Sequence, residues 1–322
     1  MVTDEMIKKQ LNNTIKETNF SGLGKFYNGK VRDNYIKNGK RIMITTDRIS
    51  AFDRVLGTIP FKGQVLNQIT KFWFSKTKGI ANNHMIDSPD PNVIVGKECK
   101  PIPVEMVIRG YITGVTTTSA WYNYERGVRN FCGNLLPDGL KKDHKFDKPI
   151  ITPSTKAEKG GHDRSLSKKE LIAEGIISEE LFDRMAEISL KVFDKGSKIL
   201  DKQGLILVDT KYEFGMCNGE LMIIDEIHTS DSSRFWYKDT YKELFEQGKT
   251  QKKLDKEYVR EWLAAQGFIG NGKQPQLTNE VRIEAAKRYI TAFEIITGNK
   301  FEVTEGNAIE RIRDNLIKGG YM

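Results

Sequence analysis

Between Lys30 and Thr46 short apolar runs alternate with charge: "KVRDNYI", the dipeptide Asn38-Gly39, then "RIMITT". Asn-Gly between two strand-like runs is a strong hairpin signal, since both residues tolerate the positive φ that the turn needs. An antiparallel amino-terminal sheet follows. Apolar positions in "GQVLNQITKFWFSKT" fall near helical spacing and predict a helix from Gly63 to Thr77. "PIPVEMVIRGYITG" reads as a strand from Val104 to Ile108, with its prolines confined to an edge or lead-in position. Ser178 suits the N-cap of a helix running to about Lys202, with Leu181, Met185, Ile188 and Val192 on one stripe and Gly204 just past its end. The run "GLILVDTKYEFG" is then a strand, and "ELMIIDEI", after Asn218-Gly219, is its hairpin partner.

The carboxyl third is helical. "LDKEYVREWLAAQ" and "NEVRIEAAKRYITAFEIITG" keep a helical step through Val281, Ala285, Tyr289 and Phe293, and Asn279 is placed to cap the second. Between Asn130 and Arg164 there is little periodicity, and a connection that long is usually functional or mobile. Strands early and helices late predict an α+β fold with a cleft between lobes. The expected division is an antiparallel β lobe over residues 1–110, a central α+β lobe over 111–255, and carboxyl-terminal helices and tail over 256–322.

Composition narrows the function. With 38% hydrophobic and 29% charged residues in 322, the chain reads as globular. No window approaches the roughly 18 apolar residues of a membrane span, and "MVTDEMIKKQ" has no apolar signal core. A cytoplasmic protein without a membrane partner is expected. Three scattered cysteines and four histidines without ligand spacing argue against a disulfide framework or a zinc site. The net charge of +8 is spread along the chain, which points to a polyanionic small substrate and away from nucleic acid.

Alternate residues of a strand share a face, so Asp209, Lys211 and Glu213 crowd one surface. A lone carboxylate on a strand is usually solvated, but several gathered on neighbouring strands repel unless a cation neutralises them. Asp209, Glu213, Asp225 and Glu226 offer the oxygen ligands that Mg²⁺ takes alongside phosphate oxygens and water. A strict two-residue Asn218-Gly219 turn sets Glu226 opposite Lys211, and a loop one residue longer sets Asp225 opposite Glu213. Spacing leaves that register open.

Further candidates flank this hairpin. "HTSDSSRFW" gathers Asp231, Ser232 and Arg234, residue types that cradle an oxyanion. "GLGKFYNGKVRD" resembles a glycine-rich nucleotide flap without being a phosphate loop, and its Lys30 and Arg32 share a face. "TTDRISAFD" adds Asp47, Arg48, Ser50 and Asp53; Arg109 ends the run "VEMVI". "TPSTKAEKGGHD" sets Lys156, His162 and Asp163 on the long loop, as a closing lid or a solvated connection. No Ser/His/Asp or Cys/His set suggests a covalent hydrolase. The inventory suits phosphoryl transfer, where positioning and electrostatics dominate.

At these residues the chain resembles the SAICAR synthetases, the phosphoribosylaminoimidazole-succinocarboxamide synthases of purine biosynthesis. "PVEMVIRGYITG" resembles one family signature and "LVDTKYEFG" fits another, while "GKVRD", "TDRISAFD", "TPSTKAE" and "DSSRFW" follow in the family's order. The resemblance spans roughly residues 20–300. It implies a kinase-like antiparallel lobe for ATP, a second α+β lobe, and a ligase. That ligase joins L-aspartate to the carboxylate of 5-amino-1-(5-phosphoribosyl)imidazole-4-carboxylate (CAIR), through an acyl phosphate, giving ADP and phosphate.

Position by position, the resemblance implies Lys30 and Arg32 on ATP phosphates, with Lys156 near the phosphates or aspartate. Glu213, also at the ATP site, and Asp225 would hold Mg²⁺, which favours the longer hairpin register. Arg109, Ser119, Asp209, Lys211, Asp231, Ser232 and Arg234 would line the CAIR site, with Lys211 and Asp209 as the catalytic pair.

Two departures stand out. "TGVTTTSAW" replaces the family's "TGS", so either Ser119 loops back to the phosphate or Val115 takes its place. Ser230 also stands where the family commonly has proline. The alternatives are a small-molecule kinase, disfavoured by missing H-R-D and D-F-G elements, and a non-enzymatic nucleotide or RNA binder, disfavoured by the aligned carboxylates. Oligomeric state stays open, with a monomer slightly favoured.

Overall fold

The structure, a computed structural model, describes residues 2–51, 54–155, 163–254, 257–268 and 272–322. Asp53, Lys156 and His162 lie outside them. Mixed helices and antiparallel sheets make up an α+β fold, as the residue pattern predicts.

The amino-terminal sheet has five antiparallel strands in the order Lys25–Asn28, Arg32–Lys37, Lys40–Thr45, Val93–Lys97, Met85–Asp90. Asn38 and Gly39 make the turn at positive φ, 51° and 70°. Alternation then gives this sheet two buried faces. Met43 and Ile94 join the main core with helix Lys62–Lys76, while Ile42, Ile44, Val93 and Val95 pack beneath the last helix, Ala308–Lys318. Ile312 and Leu316 of that helix are fully buried, and Arg311 pairs with Asp90 at 2.9 Å. The tail "NAIERIRDNLIKGG" thus forms an amphipathic helix on the body of the molecule.

The second sheet is built on two long strands, Lys100–Tyr111 and Leu205–Cys217. Lys145–Ile151 flanks the first, and Glu220–Ile224 and Ser233–Tyr237 flank the second. The proline-bearing strand is therefore central and longer than Val104–Ile108. A register shift between Glu213↔Glu105 and Gly215↔Pro101 absorbs its prolines, which lack the N–H a ladder needs. The stretch from Asn130 to Arg164 also carries more structure than its weak periodicity suggests: strand Lys145–Ile151 is hidden by its own register shift.

Helix Glu179–Lys202 packs on the long strands, capped by Ser178 as expected. In the last third, Thr278 and not Asn279 caps helix Asn279–Thr297, its hydroxyl accepting from the Val281 N–H. No helix among the described residues is long and apolar enough to cross a membrane.

His228 lies between these layers, fully buried, against the edge of Trp73 and 2.5 Å from the Tyr212 hydroxyl. Burial lowers its pKa to about 3. The folded value thus lies below the unfolded value of about 6.5, so the unfolded chain binds the extra proton first. His228 therefore favours folding at pH 7 and loses that contribution as pH falls below about 6.5 toward 3. In chemical denaturation, the stability lost between pH 7 and pH 5 should be smaller in His228→Gln than in the wild type by about 2 kcal/mol; parallel pH profiles would contradict this.

Candidate active site

The register of the two central strands builds the floor. Asp209 pairs with Arg109, Lys211 with Val107 and Glu213 with Glu105, so one face presents Glu105, Arg109, Asp209, Lys211 and Glu213 together. Strand Ser233–Tyr237 adds Arg234 opposite Asp209. Arg109, Ser119, Asp209, Lys211, Asp231, Ser232 and Arg234 all line one cavity of about 320 Å³. Sequence reasoning missed Glu105. The signal was available, because Glu105 lies four residues before Arg109 on the same strand and so faces the same way.

At one end of the cavity, Asp209 sits between two arginines. Arg234 reaches it through Nε at 2.9 Å and a terminal nitrogen at 2.8 Å, and Arg109 at 3.2 Å. Arg109 also donates to Thr152 Oγ1 and to the Thr118 carbonyl, both at 2.8 Å. Burial lowers the Arg109 pKa; Asp209 raises it, and Arg234 lowers it again. Two guanidiniums brought together around one carboxylate leave a positive wall that suits an anion.

Ser119 belongs to this wall. Residues Val115–Thr118 loop outward with Val115 exposed, and the Ser119 hydroxyl meets Thr116 Oγ1 at 2.7 Å. Gly114 makes the return possible at φ 93°: a Cβ there would lie 2.4 Å from Ser119 Oγ and 2.6 Å from an Arg234 nitrogen. The insertion thus loops so that Ser119 returns to the cavity beside Arg234, with Val115 also on the cavity wall.

At the other end, Lys211 Nζ lies 2.6 Å from Glu105 and 2.8 Å from Glu213. Burial alone would depress the ammonium pKa, but Glu213 and Glu105 outweigh it and raise it, so Lys211 stays charged. It is a fixed cation and not a base.

The hairpin register differs from the one the resemblance favoured. Cys217↔Glu220 closes a strict two-residue turn, which sets Glu213 opposite Ile224 and not opposite Asp225. The strand ends at Ile224, and Asp225 then adopts φ 66°. That left-handed residue redirects the chain, and Asp225 still interacts electrostatically with Glu213. Burial raises the Asp225 pKa; Arg32 lowers it, while Glu213 and Glu226 raise it.

Arg32 spans the two sheets, donating to Asp225 at 2.9 Å and to Glu226 at 2.5 Å. Lys30 does not share its strand. A tight turn, closed by Gly29 N–H to the Arg32 carbonyl at 2.8 Å, places Lys30 at the exposed tip between strands Lys25–Asn28 and Arg32–Lys37. Arg48 holds that turn through the Gly29 and Lys30 carbonyls and Asp33.

Among the described residues no group of three or more His, Cys, Asp or Glu is arranged to hold a metal by itself. Glu213 and Asp225 nonetheless fit a hard cation that completes its shell with phosphate and water. Their oxygens lie in an acidic cluster that Lys211 and Arg32 neutralise in this conformation.

This antiparallel lobe joined to a second, antiparallel sheet is a fold that the chain shares with solved SAICAR synthetases. The family model "SAICAR synthetase" matches residues 25–276, and the chain belongs to that family. It is 48% identical over 309 residues to the phosphoribosylaminoimidazole-succinocarboxamide synthase of Bacteroides thetaiotaomicron, covering 94% of this chain and 97% of that protein. The enzyme of the same name from Legionella pneumophila strain Paris is 46% identical, over 91% and 95%. Among solved structures, SAICAR synthase from Saccharomyces cerevisiae complexed with SAICAR superposes with a TM-score of 0.78 at 31% identity, over 90% of this chain and 100% of that one. A SAICAR synthetase in complex with ADP superposes at 0.65 and 25% identity, over 87% and 100%.

Gly114→Ala should weaken binding of a phosphate-bearing substrate by about 10-fold or more, since the added methyl displaces Ser119 and Arg234. Calorimetry measures this directly, and an unchanged affinity would show that this corner is not part of the pocket.

Proposed function

We infer that this chain is an ATP-dependent ligase that joins L-aspartate to the carboxylate of CAIR, forming SAICAR with release of ADP and phosphate. The observation that carries the reading is the two-ended cavity. Paired arginines and Ser119 mark one end, and Lys211 within an acidic cluster marks the other. Strand partners place the ends two to four residues apart, roughly 7–13 Å. That span suits an elongated sugar phosphate with a carboxylate at its far end.

A carboxylate does not accept an amine at neutral pH without activation. In the reaction proposed here, a CAIR carboxylate oxygen attacks the γ-phosphorus of ATP and the bond to the β-phosphate oxygen breaks. The aspartate amine then attacks the acyl carbon; the carbon–oxygen bond to phosphate breaks and the amine's proton passes to the departing phosphate. Each residue has a task in positioning or charge balance. Arg109, Arg234, Ser119 and Ser232 hold the sugar phosphate, and Asp209 orients the two guanidiniums. Lys211 holds the carboxylate to be activated and offsets charge as phosphate is transferred.

Lys30 and Arg32 serve the ATP phosphates, with Lys156 assigned to the same task from sequence resemblance. Glu213 and Asp225 would hold Mg²⁺, which supplies neutralisation of the phosphate oxygens when bound. A small-molecule kinase is not favoured, because the relatives bear the ligase name over nearly the whole chain.

Steady ADP release should require CAIR and aspartate together. Equal release without aspartate would favour a kinase or an ATPase. Glu213→Gln should lower turnover by about 10²-fold or more, the scale of losing a key electrostatic contributor; a variant with wild-type turnover across a Mg²⁺ titration would remove Glu213 from the metal site.

A further inference from the structure

Asp231 lines the cavity, but its carboxylate is held from behind. Lys62, fully buried, sets Nζ 2.8 Å from Asp231 Oδ2, and Tyr289 donates its hydroxyl to Oδ1 at 2.8 Å. Lys62 Nζ also lies 5.4 Å from the centroid of the Tyr289 ring. Neither residue lines the substrate cavity. Lys62 comes from the first turn of helix Lys62–Lys76, and Tyr289 from the middle of Asn279–Thr297.

That first turn is itself anchored. Phe61 at the N-cap supplies no side-chain cap, and Asp47 takes the Gly63 N–H at 2.9 Å and the Ile15 N–H at 2.7 Å instead. A buried ammonium is costly unless paired, so the Lys62–Asp231 contact is strongly selected over arrangements that separate the two.

On the cavity side, Asp231 begins the segment that carries Ser232 and Arg234. Thr229 ties the segment together: its Oγ1 donates to Glu226 at 2.9 Å and accepts from the Asp231 and Ser232 N–H groups at 3.2 and 3.3 Å. Ser233 continues it with Oγ 2.8 Å from Thr210 Oγ1. Displacing Asp231 therefore displaces the groups that face the sugar phosphate.

We propose that Lys62 and Tyr289 are positioning residues for the phosphate-bearing substrate, acting through Asp231. They fix the Asp231–Arg234 segment so that Ser232 and Arg234 meet the substrate in a preformed geometry. The proposal rests on the ligase reading of the cavity. It assigns two helices outside the cavity a larger part in CAIR affinity than in ATP affinity.

The test is steady-state kinetics of Tyr289→Phe and Lys62→Met in the full chain, with kcat and the KM for CAIR and for ATP measured separately. Calorimetric ADP binding and thermal unfolding serve as controls on folding. Tyr289→Phe should raise the CAIR KM about 5-fold and Lys62→Met at least about 20-fold, with ATP KM and ADP affinity within about twofold of wild type. Asp231→Asn combined with Tyr289→Phe should raise it by clearly less than the product of the single effects, because both act through one carboxylate.

Wild-type CAIR KM in folded Tyr289→Phe would overturn the proposal, as would a matching loss of ADP affinity, which marks general loosening. Should Lys62→Met not fold, Tyr289→Phe decides alone, since it keeps the ring and removes only the hydroxyl. Absence of CAIR-dependent ADP release in the wild type would sink the ligase reading first, before any variant is compared.

Discussion

The site depends on one register. Because Asp209 lies opposite Arg109 and Glu213 opposite Glu105, two strands distant in sequence place five charged side chains on one face. A slip of one residue in either strand would turn that strand's charged side chains toward the apolar layer beneath helix Glu179–Lys202. The buried neighbours Ile108, Met106, Tyr212 and Phe214 fill that layer and oppose the slip. Core packing is thus what sets the chemistry of the floor.

Charge balance follows from this arrangement. Each acidic group on the floor is met by a cation of the protein: Asp209 by two arginines, Glu105 and Glu213 by Lys211, and Asp225 and Glu226 by Arg32. Arg32 comes from the amino-terminal sheet, so its pairing also joins that sheet to the hairpin. The adjacent residues Asp47 and Arg48 divide their work in the same spirit. Arg48 fixes the tip that carries Lys30, and Asp47 fixes the helix start that carries Lys62. Their motif is legible in sequence as a candidate site, and the fold uses these two as supports for Lys30 and Lys62, neither of which lines the cavity.

Much of the fold is legible because its signals are local. Asn38-Gly39, the Ser178 cap and the helical stripe after it each act over a few residues, and the structure follows them. The misses come from pairing between distant segments and from tight turns that alternation does not show. Lys145–Ile151 becomes a strand only because Lys100–Tyr111 offers an edge, and its interrupted register leaves little alternation to read. The Asn218-Gly219 hairpin takes the tight register its turn dictates, and positive φ at Asp225 then redirects that residue after the strand ends. Lys30 was assigned to a strand face by alternation, whereas a tight turn sets it at the tip.

By itself the sequence determined which residue types share a face of the long strand Leu205–Cys217 and where the longer helices lie, because both follow from backbone periodicity. It also carried motifs ordered well enough to identify the family. It did not determine which faces meet. The pairing of Arg109 with Asp209, the return of Ser119 across Gly114, and the buried Lys62–Asp231–Tyr289 group join residues separated by a loop or by 58 to 169 positions. Tertiary structure decided these, since only the burial of a common core brings such side chains within hydrogen-bond distance and makes an unpaired charge there too costly to keep.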